Sequence, residues 1–159
     1  MNMLVTNFLL AVCWAALMGS FTIGSLATGF VLGFAVLWLL QPLIGGPSNY
    51  FLRSYYWLRL IVMFHYELVV SSLQVIWDVI TPRHLATPAV IEMPLDVRSD
   101  AGILLVTNLI SLTPGTLSLD VSDDRKTLLV HAMFADDPEE ICRQLKSGME
   151  RWVMEAIET

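Results

Sequence analysis

The sequence predicts an α-helical transmembrane hairpin, a long amphipathic helix, and then a small α+β domain of β-α-β-β-α order, a split ferredoxin-like pattern. Three observations carry this fold class. Residues 1–52 contain no Asp, Glu, Lys, Arg or His, and Arg53 is the first charged side chain. A hydrocarbon core about 30 Å thick needs segments of ~20 apolar residues to cross it, and no soluble fold needs so long an uncharged run. From Tyr50 to Ile80 apolar residues surround a narrow polar stripe at helical spacing. Beyond Pro82 the apolar pattern alternates between strand and helix periods in segments that suit one small layered unit.

Composition agrees. A hydrophobic content of 55% and a mean hydropathy of +0.63 place the chain in the membrane class. Its net charge of −6 is uneven, because up to Pro82 Arg53 and Arg59 balance Glu67 and Asp78. The negative excess therefore belongs to the C-terminal part, which argues against nucleic acid and against docking on anionic headgroups. Cys13 and Cys142 read as free thiols of a reducing compartment, with no metal-ligand spacing around them. No cofactor or metal is expected. The uncharged start lacks a basic leader region and resumes its apolar character after Gly19, so it is expected to stay as membrane helices.

Three regions are expected: a hairpin over 1–48, the amphipathic helix over 49–82, and the α+β domain over 83–159. The first apolar segment runs from Leu4 to Met18 and the second from Ile23 to Leu40, separated by Gly19-Ser20-Phe21-Thr22. Ala11, Ala15 and Gly19 recur every four residues in the first, and Ser25, Gly29 and Gly33 do so in the second. Small residues at this spacing line one helix face and let two backbones approach closely. Gln41 to Asn49, with Pro42, Gly45, Gly46 and Pro47, reads as a loop.

The third helix opens with Arg53, Tyr55, Tyr56, Trp57 and Arg59, a mixture favoured at a membrane–water interface. Glu67, Ser71, Gln74 and Asp78 then form its polar stripe. If this helix lies along the surface, Arg53, Arg59, Arg83 and Arg98 all stay on the cytoplasmic side, as the positive-inside rule favours. A third span is the alternative; either way the C-terminal domain is cytoplasmic. His65 and Glu67 are the ionisable pair at membrane depth, where such groups mark a proton path or face a partner subunit.

In the tail, Ala89 to Val97 reads as a strand. Ser99 or Asp100 caps a helix whose apolar face holds Ala101, Leu104, Leu105, Asn108, Leu109 and Leu112. Leu117, Leu119 and Val121 alternate with Ser118 and Asp120 in a half-buried strand, and Leu128 to Met133 returns after a polar turn. Asp136 or Asp137 caps the last helix, with Pro138 at its first position and a stripe of Ile141, Leu145, Met149, Trp152, Val153 and Ala156. A crossover plus a hairpin places the third strand centrally, with both helices on one face. Thr113-Pro114-Gly115-Thr116 suits a type II turn, with glycine supplying positive φ. Asn108, on the apolar face, is expected to satisfy backbone groups of that turn; a ligand pocket of Asn108, Thr113 and Thr116 is the other reading. His131 and Asp120 lack a nucleophile at any recognisable elbow, so no enzyme is predicted.

The whole chain resembles the E subunit of the multisubunit Mrp-type monovalent cation/proton antiporters. The likeness rests on the uncharged double span, Arg53-Ser54-Tyr55-Tyr56-Trp57-Leu58-Arg59, Glu67-Leu68, Ser71-Ser72, and above all Asn108 to Thr116 with Leu112-Thr113-Pro114-Gly115-Thr116, followed by Leu117 to Val121 and Val130-His131. The resemblance implies an accessory subunit of a hetero-oligomer in the bacterial cytoplasmic membrane. Its partners would be the other antiporter subunits and the lipid bilayer, and the ion path would lie elsewhere. A membrane-anchored, ligand-sensing module that gates a partner is the alternative.

Overall fold

The computed structural model describes residues 3–44, 49–82 and 86–158, so the expected loop residues 45–48 and linker residues 83–85 lie outside it. The chain forms two compact units, Met1–Leu52 and Arg53–Thr159. The first holds α1 (Met3–Leu17), α2 (Ile23–Ile44) and the opening turn of α3 (Asn49–Ile80). Helix α2 therefore runs past Gln41 and Pro42, where a loop is expected from sequence; the apolar run continues to Ile44, and helices of membrane type tolerate proline near an end.

Ala11 and Ala15 are buried in the α1–α2 seam, and Gly29 and Gly33 face them. A Cβ on Gly29 would lie 2.8 Å from the Trp14 Cβ and 3.0 Å from the Ala11 backbone. One on Gly33 would collide with Asn7 Oδ1 and lie 3.1 Å from the Leu10 Cβ. Asn7 is fully buried on the same four-residue register as Ala11 and Ala15, and its Nδ2 donates to the Tyr50 hydroxyl at 3.0 Å. Phe34 packs edge-on against Phe51 and tilted against Tyr50. Away from the seam, Phe8, Leu9, Val31, Leu39 and Leu43 are exposed, an arrangement that hydrocarbon solvates and water does not.

Gly19 is not on this seam. It is exposed, with φ +62, and ends α1 in a Schellman turn: its N–H donates to Ala16 O at 3.1 Å and the Ser20 N–H to Ala15 O at 3.0 Å.

The second unit continues α3 and adds β1 (Ala89–Pro94), α4 (Asp100–Leu112), β2 (Thr116–Val121), β3 (Thr127–Ala132), α5 (Pro138–Leu145), a π turn (Lys146–Glu150) and α6 (Arg151–Ile157). The antiparallel sheet has the order β1-β3-β2, with the third strand central as expected. Met93, Val106, Ile110, Leu128, Val130 and Val153 are fully buried. Helix α3 joins this core through Leu60, with Tyr56 and Phe64 beside it, and Arg59 pairs with Glu155 of α6 at 2.6 Å.

Three expectations are corrected. The buried face of α4 is Gly102, Ile103, Val106, Leu109 and Ile110, whereas Ala101, Leu104, Asn108 and Leu112 are exposed. Leucines line most of this helix, so periodicity leaves two faces nearly equivalent and packing selects one. In β2 a bulge at Leu119 interrupts the alternation. Thr116, Ser118 and Val121 are partly buried, while Leu117 and Leu119 lie exposed. The Ser118 hydroxyl donates to Thr107 O and that of Thr116 to Ile110 O, which ties the strand's small polar residues to α4. Strand β1 stops at Pro94, short of Val97: the Leu95 N–H still donates to Lys126 O, and two carboxylates take the N–H groups after it. The Asp96 and Val97 N–H groups donate to buried Glu150, and those of Arg98 and Ser99 to Glu158. The last helix is also interrupted by a π turn, across which Leu145, Met149 and Val153, four residues apart, all remain buried.

The seam predicts an asymmetric result for two glycines of α2. Gly29→Ala should destabilise the hairpin by about 1–3 kcal/mol through overpacking, whereas Gly24→Ala, with open space around its Cβ, should be neutral or slightly stabilising. Equilibrium unfolding in detergent micelles, followed by helical circular dichroism, measures both.

Candidate functional site

Helix α4 ends where Pro114 forces Thr113 into extended geometry, φ −83 and ψ 121. The Thr116 N–H returns to Thr113 O at 3.2 Å, and Gly115 takes φ +89, which makes the type II turn that the sequence predicts. The two threonines cap the helix. The Thr113 hydroxyl donates to Leu109 O at 2.9 Å and that of Thr116 to Ile110 O at 2.7 Å, satisfying carbonyls that a helix end leaves open. The Met133 N–H then donates to Gly115 O, which fixes the turn to the end of β3.

This turn borders a cleft of about 570 Å³. It is lined by the α3 stripe, Glu67, Ser71 and Gln74, by residues of α5, the π turn and α6 that include Gln144, Gly148 and Trp152, and by Phe134. Two features separated by about forty residues in sequence thus line one cavity. Glu67 is half-buried and is the only charged residue of the lining among the described residues. The Ser71 hydroxyl donates to the Glu67 backbone carbonyl and leaves the carboxylate free of it.

The remaining sequence-predicted residues lie elsewhere. His65 is exposed, with Nδ1 2.7 Å from Ile61 O, and it does not line the cleft with Glu67. Asp78 is buried one turn beyond the lining. Asn108 is exposed and donates to Leu104 O at 2.7 Å, so it neither supports the turn nor enters the cavity; Leu112 is likewise exposed. His131 is half-buried in β3, opposite Val90 and Leu117. Among the described residues no group of three His, Cys, Asp or Glu side chains could hold a metal ion.

Sequence reasoning missed Glu150 and Glu158, which hold the segment before α4, and Lys146, which donates to Pro94 O and pairs with Asp96 at 2.7 Å. No helical period marks them, because their partners are backbone N–H groups and carbonyls more than fifty residues away in sequence. Asn7 was legible in principle, since it continues the Ala11–Ala15 register by one step. Partial burial works against the Glu158 carboxylate. The N–H groups of Ser99 and Arg98, the Ser99 hydroxyl and the Arg98 charge outweigh it and hold its pKa below the ordinary value. For Lys146 too burial opposes the charge, but Asp96 and Glu150 outweigh it and raise its pKa.

Over residues 7–156 the chain matches the family described as Na+/H+ ion antiporter subunit. It is 36% identical over 155 residues to the Na(+)/H(+) antiporter E1 subunit of Staphylococcus haemolyticus, covering 98% of this chain and 97% of that one. It is 32% identical over 152 residues to the Na(+)/H(+) antiporter E subunit of Alkalihalophilus pseudofirmus, covering 96% of each. A chain in the solved Mrp complex from Dietzia sp. superposes with TM-score 0.50 at 28% identity, covering 61% of this chain and 91% of that one. A chain of an archaeal respiratory complex, the membrane-bound sulfane sulfur reductase, shares the fold with TM-score 0.56 at 20% identity, covering 99% of this chain and 98% of that one.

Gly115→Ala forces a side chain into positive φ and should cost about 1–2 kcal/mol, while exposed Asn108→Ala should be close to neutral; thermal unfolding of the full chain in detergent separates them. Glu158, whose folded pKa is lowered, contributes stability above its unfolded pKa of about 4.3 and loses it as pH falls through the folded value. Acid unfolding of Glu158→Gln should therefore show a shallower loss of stability below that pH than the parent chain.

Proposed function

We propose an assembling and bracing role for this chain, which belongs to the E-subunit family of Na+/H+ antiporters. It is an integral membrane protein and an accessory subunit of a multisubunit monovalent cation/proton antiporter. It is not an enzyme, and its partners are the other subunits within the bilayer. The hairpin suits a packing role, because residues 1–52 hold no Asp, Glu, Lys, Arg or His with which to relay a proton.

The observation that carries the finer reading is the two-sided character of α3. Tyr56, Leu60 and Phe64 face the core of the α/β unit and Glu67, Ser71 and Gln74 face its cleft, whereas Leu58, Ile61, Val62, Val69, Leu73 and Ile76 are exposed. At 1.5 Å per residue its 32 residues extend about 48 Å, well beyond a hydrocarbon core. Crossing the bilayer would carry the polar α/β unit, packed along α3 from Tyr56 to Gln74, into hydrocarbon. Lying along the cytoplasmic surface gives the apolar face lipid and the other face protein. In this reading residues 1–48 span the membrane, 49–82 lie in its interface and 83–159 stand in the cytoplasm.

Two measurements test this. The purified chain alone in liposomes should exchange no Na+ for H+, while its deletion should prevent recovery of the intact complex; exchange by the lone chain would refute the accessory role. With Cys13 and Cys142 replaced by serine, single cysteines at Ser54 and Val79 should both react from the cytoplasmic side of oriented vesicles. Reaction from opposite sides would establish a third span.

A further inference from the structure

We propose that the cleft between α3 and the π turn binds a lysine side chain presented by another subunit of the complex, a proposal that rests on the accessory-subunit reading. Glu67 is the only charged residue of the lining, and its carboxylate makes no ion pair or hydrogen bond among the described residues. A carboxylate held partly out of water, with no counter-charge, leaves a Coulomb attraction that an incoming cation would use. The lining offers two further acceptors. Gln74 makes no hydrogen bond among the described residues, and Gln144 spends its Nε2 on Glu140, which leaves its amide oxygen free. An ammonium carries three donors and no acceptor, which suits a lining that offers uncommitted acceptors.

The Thr113 and Thr116 hydroxyls donate to α4 carbonyls, so what they have left to offer the cleft is acceptor capacity, which again suits a donor-only cation. Phe134 and Trp152 supply ring surface for the methylene stem and the cation. The cavity, about 570 Å³, is larger than one side chain and suits a lysine together with apolar residues that flank it on the partner segment. A phospholipid headgroup fits less well. Its phosphate would enter beside Glu67 with no Lys or Arg among the described lining residues to receive it. The net charge of −6 further favours the approach of a basic surface.

Carbodiimide treatment of the intact complex in native membranes tests the assignment. The reagent activates the Glu67 carboxyl, the lysine amine displaces it to form an amide, and the water lost is taken up as the urea by-product. Peptide mapping should recover Glu67 joined to a lysine of another subunit, and Glu67→Gln should abolish that link. The same substitution should weaken salt-resistant co-purification of the linked subunit about ten-fold. An unlinked Glu67 in an otherwise intact complex would overturn the proposal, as would a Glu67 peptide coupled to an aminophospholipid or unchanged co-purification of Glu67→Gln. Failure of the parent chain to co-purify any subunit would instead refute the accessory-subunit reading on which the proposal rests.

Discussion

Helix α3 packs Tyr56, Leu60 and Phe64 into the core of the α/β unit and leaves most of its remaining circumference apolar and exposed. A soluble amphipathic helix turns polar residues outward; here the polar residues Glu67, Ser71 and Gln74 turn toward the protein instead. Such an exposed apolar face is one that lipid or a protein partner would cover better than water. The inversion requires the α/β unit to supply partners on the inner face, which it does through its core, through the Arg59–Glu155 pair and through the cleft.

The wall of the cleft depends on carboxylates that face backbone. Glu150, 1% exposed, accepts from Asp96 and Val97, and its other oxygen lies 3.4 Å from Lys146. The π turn that contains Glu150 also contains Gly148, which lines the cavity, and α6 follows with Trp152 and Glu155. One irregular turn therefore orients the buried carboxylate, the cavity wall and the residue that pairs with α3. π turns recur at functional sites because they redirect side chains without ending a helix. In the hairpin an equivalent economy holds: glycine at 29 and 33 lets α2 approach α1 closely enough to enclose the Asn7 amide.

Much of this architecture was legible in the residues. The uncharged start marked the hairpin, period changes marked the three strands and the helices though not the π turn, and Thr113-Pro114-Gly115-Thr116 specified both turn type and helix end through local sterics alone. The polar stripe of α3 was legible as a stripe, although its destination was not. The reading of α4 placed Asn108 and Leu112 inward because several leucine-bearing faces satisfy the same period. The reading of β2 turned Leu117 and Leu119 inward, whereas Thr116 and Ser118 face α4 through their hydroxyls and the bulge at Leu119 then brings Val121 to the same side. Gly19 shares its spacing with Ala11 and Ala15, but at a helix end its positive φ matters more than its size.

The sequence by itself determined what depends on neighbours along the chain: which segments seek hydrocarbon, where helices start and stop, and which turn Pro114 and Gly115 must make. Only the tertiary structure decided which of several apolar faces is buried, that Glu150 and Glu158 hold a segment more than fifty residues away, and that the stripe at Glu67 and the turn at Thr113 line one cavity. Local steric and periodic rules act within a few residues, whereas these choices rest on packing and on backbone hydrogen bonds between distant segments, which no short-range pattern encodes.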